Sequence, residues 1–425
     1  MQSRRSTRPA WTAVALVFLF MLINFADKAV IGLSSGQIMR EMGLTHTQFG
    51  LLGSAFFLLF SLSGVVGGFL ANRIRTKTLM LAMGLLWSAA LLPMIRVSSF
   101  AVLATSRVVL GAAEGPAFPV AMHAVYKWFG NERRALPSSI VASGAAFGAG
   151  IVAPLVTWII DHHGWHAAFG ALGLAGLLWV ALWTFLGREG PGDQGADAAT
   201  PWSTENPRSI PYRRLLLSQT AVGVYLAGFA AYWIIALNLV WLANYLTKVL
   251  HMSPANAAWV ITLPSIMQMI FAPSLAFASQ RLSAAGVPSR ISRGWLGTLC
   301  VIIGGISMLC LPFVPPGAWK ILVVGLSFSI GSVIFTLGPT LIGEITPASQ
   351  RGAMLGVANS VHTLAGLCAP FVMGRIVDIN VDPIEGFRMG FVYAGTFVVA
   401  LGLWAAIMIN PERDLRRFHS LADAS

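Results

Sequence analysis

Charge is what this sequence has least of. Charged residues make up 10% of its 425 residues, against about 25% in soluble domains. Apolar residues reach 56% and fall in long blocks, which excludes an ordinary soluble globule. Cysteine is nearly absent. Cys300, Cys310 and Cys368 are an odd number, and all lie in apolar blocks. That excludes a disulfide framework and metal-ligand spacing, and leaves them as small core residues. Short segments of alternating polarity are lacking, so the pattern is not that of a β-barrel. "GAAEGPAF" (111–118) has glycines but no Gly-Lys-Ser, so it is no phosphate loop. No nucleotide loop, metal site or nucleophile constellation supports an enzyme. No cleavable signal peptide stands out, because the first apolar block is long enough to span and lacks a small-residue cleavage site.

The blocks themselves carry the fold expectation. Many approach the roughly 20 residues that cross a bilayer core as a helix. They lie at 11–33, 48–71, 77–95, 99–126, 138–160 and 165–187, then at 215–247, 254–279, 292–312, 317–343, 352–377 and 387–410. In lipid the backbone must satisfy its own hydrogen bonds, so each is a helix. The fold expected is all-α and membrane-integral, with twelve transmembrane helices in two six-helix bundles, residues 1–187 and 213–425. Residues 188–212 are polar and rich in Pro and Gly, and read as a cytoplasmic linker. The net charge is +12. With the N-terminus placed in the cytoplasm, twenty Lys and Arg residues fall on the cytoplasmic side and six on the other. That is the positive-inside rule with both termini cytoplasmic. The basic balance therefore needs no nucleic-acid partner.

The halves echo each other. "ASGAAFGAGIVAP" (142–154) aligns without gaps on "ANSVHTLAGLCAP" (358–370), with Ala142, Ala149, Gly150, Ala153 and Pro154 recurring as Ala358, Ala365, Gly366, Ala369 and Pro370. Both are small-residue faces in the fifth span of their half. Small residues let membrane helices approach closely, and repeated halves around a central site are a common transporter plan.

Four charges remain deep inside spans once loop and helix-end charges are set aside: Asp27, Lys28, Arg107 and Glu114. Intramembrane ionisable residues are costly and are functional candidates by default. Arg107 and Glu114 are two turns apart and share a face of span 4, roughly 10 Å apart along its axis. Asp27 and Lys28 are adjacent and point about 100° apart, so either one can face the partner helix squarely, but not both. A purely structural ion-pair lock between spans 1 and 4 explains the charge balance. It explains less well why the second half has no such set. The same alignment offset brings Asn244 onto Lys28 and Ala243 onto Asp27. The second half offers neutral Asn238, Asn244, Gln268, Asn359 and His362 instead. A cavity cationic and titratable on one side and neutral on the other suits an anion moved with a proton.

At these residues a family resemblance enters. "INFADKA" (23–29), "RVVLGAAEGPAFPVAMHAVYKWFGNERRALPSSI" (107–140) and "EITPASQRGAMLGVAN" (344–359) resemble signature segments of the anion:cation symporter family within the major facilitator superfamily. The resemblance extends span by span over most of the chain. It implies secondary active import of organic anions such as sugar acids, hexuronates or aromatic carboxylates, typically with protons in bacteria. It also implies that Arg107 and Lys28 contact the substrate carboxylate, that Asp27 and Glu114 handle protons, and that Asn359 or its neighbourhood is a polar cavity group. Asn244 and His362 join the substrate-binding candidates. Inside-gate candidates are Asn72, Arg73, Lys77, Glu344 and Arg351.

Departures from the family pattern sharpen the reading. Asn72 stands where the pattern has Asp, and Arg75 where it has Gly. His166, in "GWHAAF", replaces a common Arg. Phe60, Gly64 and Val66 stand where sugar-acid carriers tend to have Tyr, Gln and Pro, so two hydroxyl-binding groups are missing. An apolar wall suits an aromatic or short aliphatic carboxylate, and Phe56, Phe57, Phe60, Trp233 and Trp241 are candidates for it. Taken singly, each ring is expected to face lipid or the interface.

The histidines of "DHHGWH" (161–166) look like a metal cluster, but without Cys or Glu support a solvated turn is the expectation. His362 is read equally as a cavity residue or a hydrogen-bonded core histidine, and His123 and Tyr126 as packing or gate residues. The function expected is proton-coupled import of a small organic anion across a bacterial inner membrane. The carrier would be a monomer with protons and lipids as its other partners and no cofactor beyond the proton gradient. The competing readings are an uncoupled facilitator or exchanger, a sugar-acid symporter, or a transporter-like sensor.

Overall fold

The computed structural model describes residues 7–71, 74–96, 98–129, 135–191, 210–347 and 350–423. The gate candidates Asn72 and Arg73, and most of the expected linker, lie outside them. Every regular element among the described residues is helical. In chain order they are α1 (Thr7–Leu33), α2 (Ser35–Met42), α3 (His46–Ala71), α4 (Thr76–Leu91), α5 (Phe100–Glu114), α6 (Ala117–Tyr126), α7 (Ala135–Ala146) and α8 (Ala153–Leu186). Then follow α9 (Tyr212–Leu216), α10 (Gln219–Leu237), α11 (Pro254–Ala284), α12 (Leu296–Cys310), α13 (Ala318–Ser329), α14 (Ile334–Ile345), α15 (Arg351–Ile379), α16 (Pro383–Met408) and α17 (Pro411–Asp423).

Among the described residues, eleven stretches are long and apolar enough to cross a membrane. The expectation from sequence was twelve. The difference lies in the fifth stretch, Leu136–Leu186, which is 51 residues long. It is interrupted at Gly164, whose φ of 80° and ψ of 166° are not helical. A positive φ of that kind is open to glycine at little cost, and here it divides α8 into two arms.

The chain forms two compact units, residues 1–204 with 253–262, and residues 205–252 with 263–425. In the first, α1 packs on α7 and α8, α3 on α5, and α4 on α8. The α3–α5 approach is set by small residues. A Cβ at Gly111 would stand 1.8 Å from the Phe56 carbonyl oxygen, and one at Gly115 2.2 Å from that of Phe60. Polar groups then fix rotation. Trp179 Nε1 donates to the Leu16 carbonyl at 2.7 Å, joining α8 to α1. Ser106 Oγ donates to Ala90 O at 2.5 Å, joining α5 to α4. In the second unit α10 packs on α15 and α16, and α12 on α16. The start of α10 is tied to α17, where Asp414 Oδ2 accepts from Thr220 N at 2.8 Å.

The Gly164 break is held in place by α2. Gln37 donates to the Ile160 carbonyl and accepts from Trp165 N, both at 3.0 Å. Glu41 accepts from Trp165 Nε1 at 2.7 Å, from Ser98 Oγ at 2.5 Å and from His166 Nε2 at 3.0 Å. The second ring nitrogen of His166 donates to the Met94 carbonyl. The three histidines of the turn therefore diverge, because His162 and His163 pack on Trp158 instead. No group of three potential metal ligands occurs among the described residues.

The Ser98 hydroxyl, with His166 and Trp165 and against the effect of burial, holds the Glu41 carboxyl down at about 2 from an ordinary 4.5. A depressed carboxylate stabilises the fold above its unfolded pKa, and that contribution is lost as pH falls through the folded value. The melting-temperature difference between wild type and Glu41→Gln is therefore expected to be full at about pH 6, and to shrink as pH is lowered from 4.5 towards 2. A pH-independent difference would remove Glu41 from this role.

Candidate functional site

The four intramembrane charges converge within the first unit. Asp27 is 0% exposed, Lys28 4%, Arg107 2% and Glu114 1%. The Lys28 ammonium lies 3.0 Å from Glu114 Oε2, so of the two adjacent charges on α1 it is Lys28 that engages α5. It also donates to Asn24 Oδ1, one turn back on its own helix. Neither Asp27 oxygen has a hydrogen-bond partner, and the same holds for Nε and Nη1 of Arg107. Burying a charge costs several kcal/mol unless it is paired. One ion pair thus sits beside a buried guanidinium and a buried carboxyl that make no hydrogen bonds at these atoms, as is also true of both Glu114 oxygens.

Aromatic faces fill the space around the cations. The Arg107 guanidinium lies 4.7 Å from the centre of the Phe56 ring. Lys28 Nζ lies 4.2 Å from that of Phe25, 5.3 Å from Phe60 and 5.8 Å from Phe56. Such contacts attract through the ring quadrupole and strengthen when desolvated. Phe56, Phe57 and Phe60 contact one another, with Phe56 centred 5.0 Å from Phe57 and 5.2 Å from Phe60. The expectation that each ring faces lipid is corrected here. Phe56 and Phe57 are buried, and the close α3–α5 approach at Gly111 turns this face of α3 inward. Trp241 is likewise buried in the second unit and donates to the Pro370 carbonyl at 2.9 Å, while Trp233 packs on Phe397.

Three other candidates lie in the second unit. Asn244 is buried at 3% exposure, between two wide helical turns, Asn238–Leu242 and Tyr245–Val249. Asn359 is exposed on α15. His362 is buried and donates from Nε2 to the Val224 carbonyl at 3.2 Å, with Phe335 against its ring. Of its two readings, the hydrogen-bonded core histidine is the geometry found.

At the gate candidates the structure supplies a residue that sequence reasoning passed over. Glu189 lies in the segment read as linker, yet its carboxylate gathers two elements, the start of α4 and the end of α6. It accepts from Thr76 Oγ1 at 2.8 Å and Thr76 N at 3.2 Å, from Lys77 N at 2.8 Å and from Lys127 Nζ at 2.5 Å. It thus serves the free N–H groups at the start of α4, where the N-cap residue Arg75 offers no side-chain bond. Burial pushes the Glu189 carboxyl up, but these donors outweigh it and hold it below the ordinary carboxylate value. Lys77 Nζ donates to the Thr184 carbonyl at 3.1 Å. In the second unit Glu344 pairs with Arg293 and accepts from Ser289 Oγ at 2.6 Å, and Arg351 Nε donates to the Thr346 carbonyl at 3.1 Å.

The family model of the Major Facilitator Superfamily matches residues 17–239 and 224–424. A probable sulfoacetate transporter of Cupriavidus necator is 27% identical over 97% of this chain and 96% of its own. A probable galactarate/D-glucarate transporter of Bacillus subtilis is 24% identical over 96% and 93% respectively. Among solved structures, a bacterial homologue of the human lysosomal transporter Spinster superposes with a TM-score of 0.77 at 16% identity, over 97% of this chain and 99% of that one. That likeness speaks for the fold.

The ion pair makes its own prediction. Lys28→Met strands Glu114 in an apolar site, and removing one partner of a buried pair costs about 3–5 kcal/mol. The double variant Lys28→Met/Glu114→Gln is expected to recover most of that loss in thermal unfolding in detergent. Additive losses would show that the two side chains do not depend on each other.

Proposed function

The chain belongs to the major facilitator superfamily, and on that premise we propose that it imports a small organic anion by proton symport through alternating access. The carrying observation is a Lys28–Glu114 ion pair beside the unpartnered edge of Arg107 and the unpartnered carboxyl of Asp27, all buried. An entering carboxylate or sulfonate competes with Glu114 for Lys28. Arg107, whose Nε and Nη1 make no hydrogen bond, offers it charge-assisted donors. A carboxylate left in apolar surroundings without its cation is neutralised by a proton. Anion arrival therefore promotes proton uptake at Glu114 and Asp27, and by linkage protonation promotes anion binding.

In this reading the chain makes twelve crossings, with the two arms of α8 counted separately at Gly164. Both termini and residues 188–212 are cytoplasmic, and the host membrane is the bacterial inner membrane. Residues 1–187 and 213–425 form the two bundles, and the carrier works as a monomer without a cofactor. The inside gate draws on Asn72, Arg73, Lys77, Glu344 and Arg351. Asn244 and Asn359 of the second half are candidate neutral polar groups for the substrate, while His362 is engaged with the Val224 carbonyl.

The rings around Lys28 and Arg107 bear on the substrate. Phe25, Phe56 and Phe60 offer faces rather than hydrogen bonds, which suits an anion with few hydroxyls, aromatic or short. The sulfoacetate relative fits that class. The galactarate/D-glucarate relative keeps a sugar-acid substrate as the second reading. Thermal-shift measurements with benzoate, sulfoacetate and galactarate separate them, with stabilisation expected from the first two. Stabilisation by galactarate alone would overturn the assignment of Phe60 to an apolar wall.

Proton coupling is tested in proteoliposomes. Asp27→Asn and Glu114→Gln are each expected to abolish accumulation driven by a proton gradient while retaining substrate exchange. Undiminished uphill uptake in either variant would remove that residue from coupling.

A further inference from the structure

Asn24 has no part in the scheme above, yet it is the closest polar neighbour of the cation at its centre. It is 0% exposed on α1. Its Oδ1 accepts from Lys28 Nζ, and its Nδ2 has no partner. Lys28 thus has two polar partners of different standing. Glu114 belongs to another helix and carries charge, so it can be displaced by a competing anion and neutralised by a proton. Asn24 lies four residues back on the same helix, where i and i+4 side chains meet. That contact does not change when α1 and α5 move against each other. It also leaves the charge of Lys28 intact, because an amide oxygen accepts without neutralising.

We propose that Asn24 is a positioning residue for anion transport. It is the permanent acceptor that keeps the Lys28 ammonium aimed at the place where Glu114 and the substrate anion exchange. The inference rests on the proposed anion transport for its purpose, but not for its geometry. Without Asn24, a Lys28 released from Glu114 keeps ring faces and the nearby charge of Asp27 around it but loses its hydrogen-bond acceptor, and a four-carbon stem is free to turn away. A neutral acceptor is required at this position. An acid would hold the ammonium equally well but would occupy it with a charge that the substrate must outcompete in every cycle.

Two variants separate holding from charge. Asn24→Leu removes the acceptor and Asn24→Asp keeps it at nearly the same place with a negative charge. The first measurement is thermal unfolding of the full-length protein in detergent and needs no substrate. Asn24→Leu is expected to lower the melting temperature by about 2 °C or more in the wild-type background, and by much less in Lys28→Met. An equal fall in both backgrounds would overturn the holding role. The second is exchange of sulfoacetate and, separately, of galactarate in proteoliposomes. In a folded Asn24→Asp protein the apparent KM is expected to rise roughly tenfold, a change in binding of one factor of ten. A merely structural residue would show affinity following stability, so a wild-type KM in a stable Asn24→Asp protein overturns the proposal. If wild type exchanges neither anion, the transport reading fails at that point, and the unfolding comparison still decides whether Asn24 holds Lys28.

Discussion

A charge in the middle of an apolar bundle has nowhere to go except to another group of the protein. That constraint organises the first unit. Lys28 and Glu114 pair across α1 and α5, and the packing near them keeps that meeting possible. Glycines at 111 and 115 let α3 lie directly on α5. The close approach brings Phe56 and Phe60 over the cations, where ring faces replace the water that the site excludes. Ser106 and Trp179 fix the rotation of the neighbouring helices through bonds to backbone carbonyls. An interaction of this kind between helices holds them together only while nothing competes for it, and the buried Nε and Nη1 of Arg107 stand nearby without hydrogen bonds.

The same economy of polar groups appears at the ends of the helices. Glu189 meets the open N–H groups of α4 and the ammonium of Lys127 with one carboxylate. Glu41 does similar service at the Gly164 break, collecting an indole, a hydroxyl and an imidazole. Each acid joins elements distant in sequence, 113 residues apart for Thr76 and Glu189 and 124 for Glu41 and Trp165. The apolar middles of the helices supply burial without direction. The few polar groups at their ends, with the Lys28–Glu114 pair and the Ser106 and Trp179 bonds further in, supply the register.

Much of this was legible in the sequence, for a physical reason. Asp27, Lys28, Arg107 and Glu114 stand out because nothing else around them is charged, and the apolar blocks mark the helices themselves. What the letters do not carry is helix rotation. Adjacent residues differ by about 100° on the helix, and whether Asp27 or Lys28 turns to α5 depends on packing set by Gly111, Gly115 and Trp179. The rings of α3 were open for the same reason, since a helix apolar all round has no marked inner face. Asn24 went unnoticed as a lone neutral residue, although its four-residue spacing from Lys28 was the available signal. Glu189 was hidden by its Pro- and Gly-rich surroundings, which read as a tether and in part form a brace.

Gly164 carries a consequence beyond local geometry. A continuous helix of 51 residues would run roughly 75 Å, far more than the hydrocarbon core of about 30 Å. A break at Gly164 is what would let the same residues serve as an outward and a return stroke. The parity of strokes decides on which face of the membrane each later loop emerges. If both strokes cross, a single left-handed backbone angle, available to a residue with no side chain, sets the side on which the loops after it emerge.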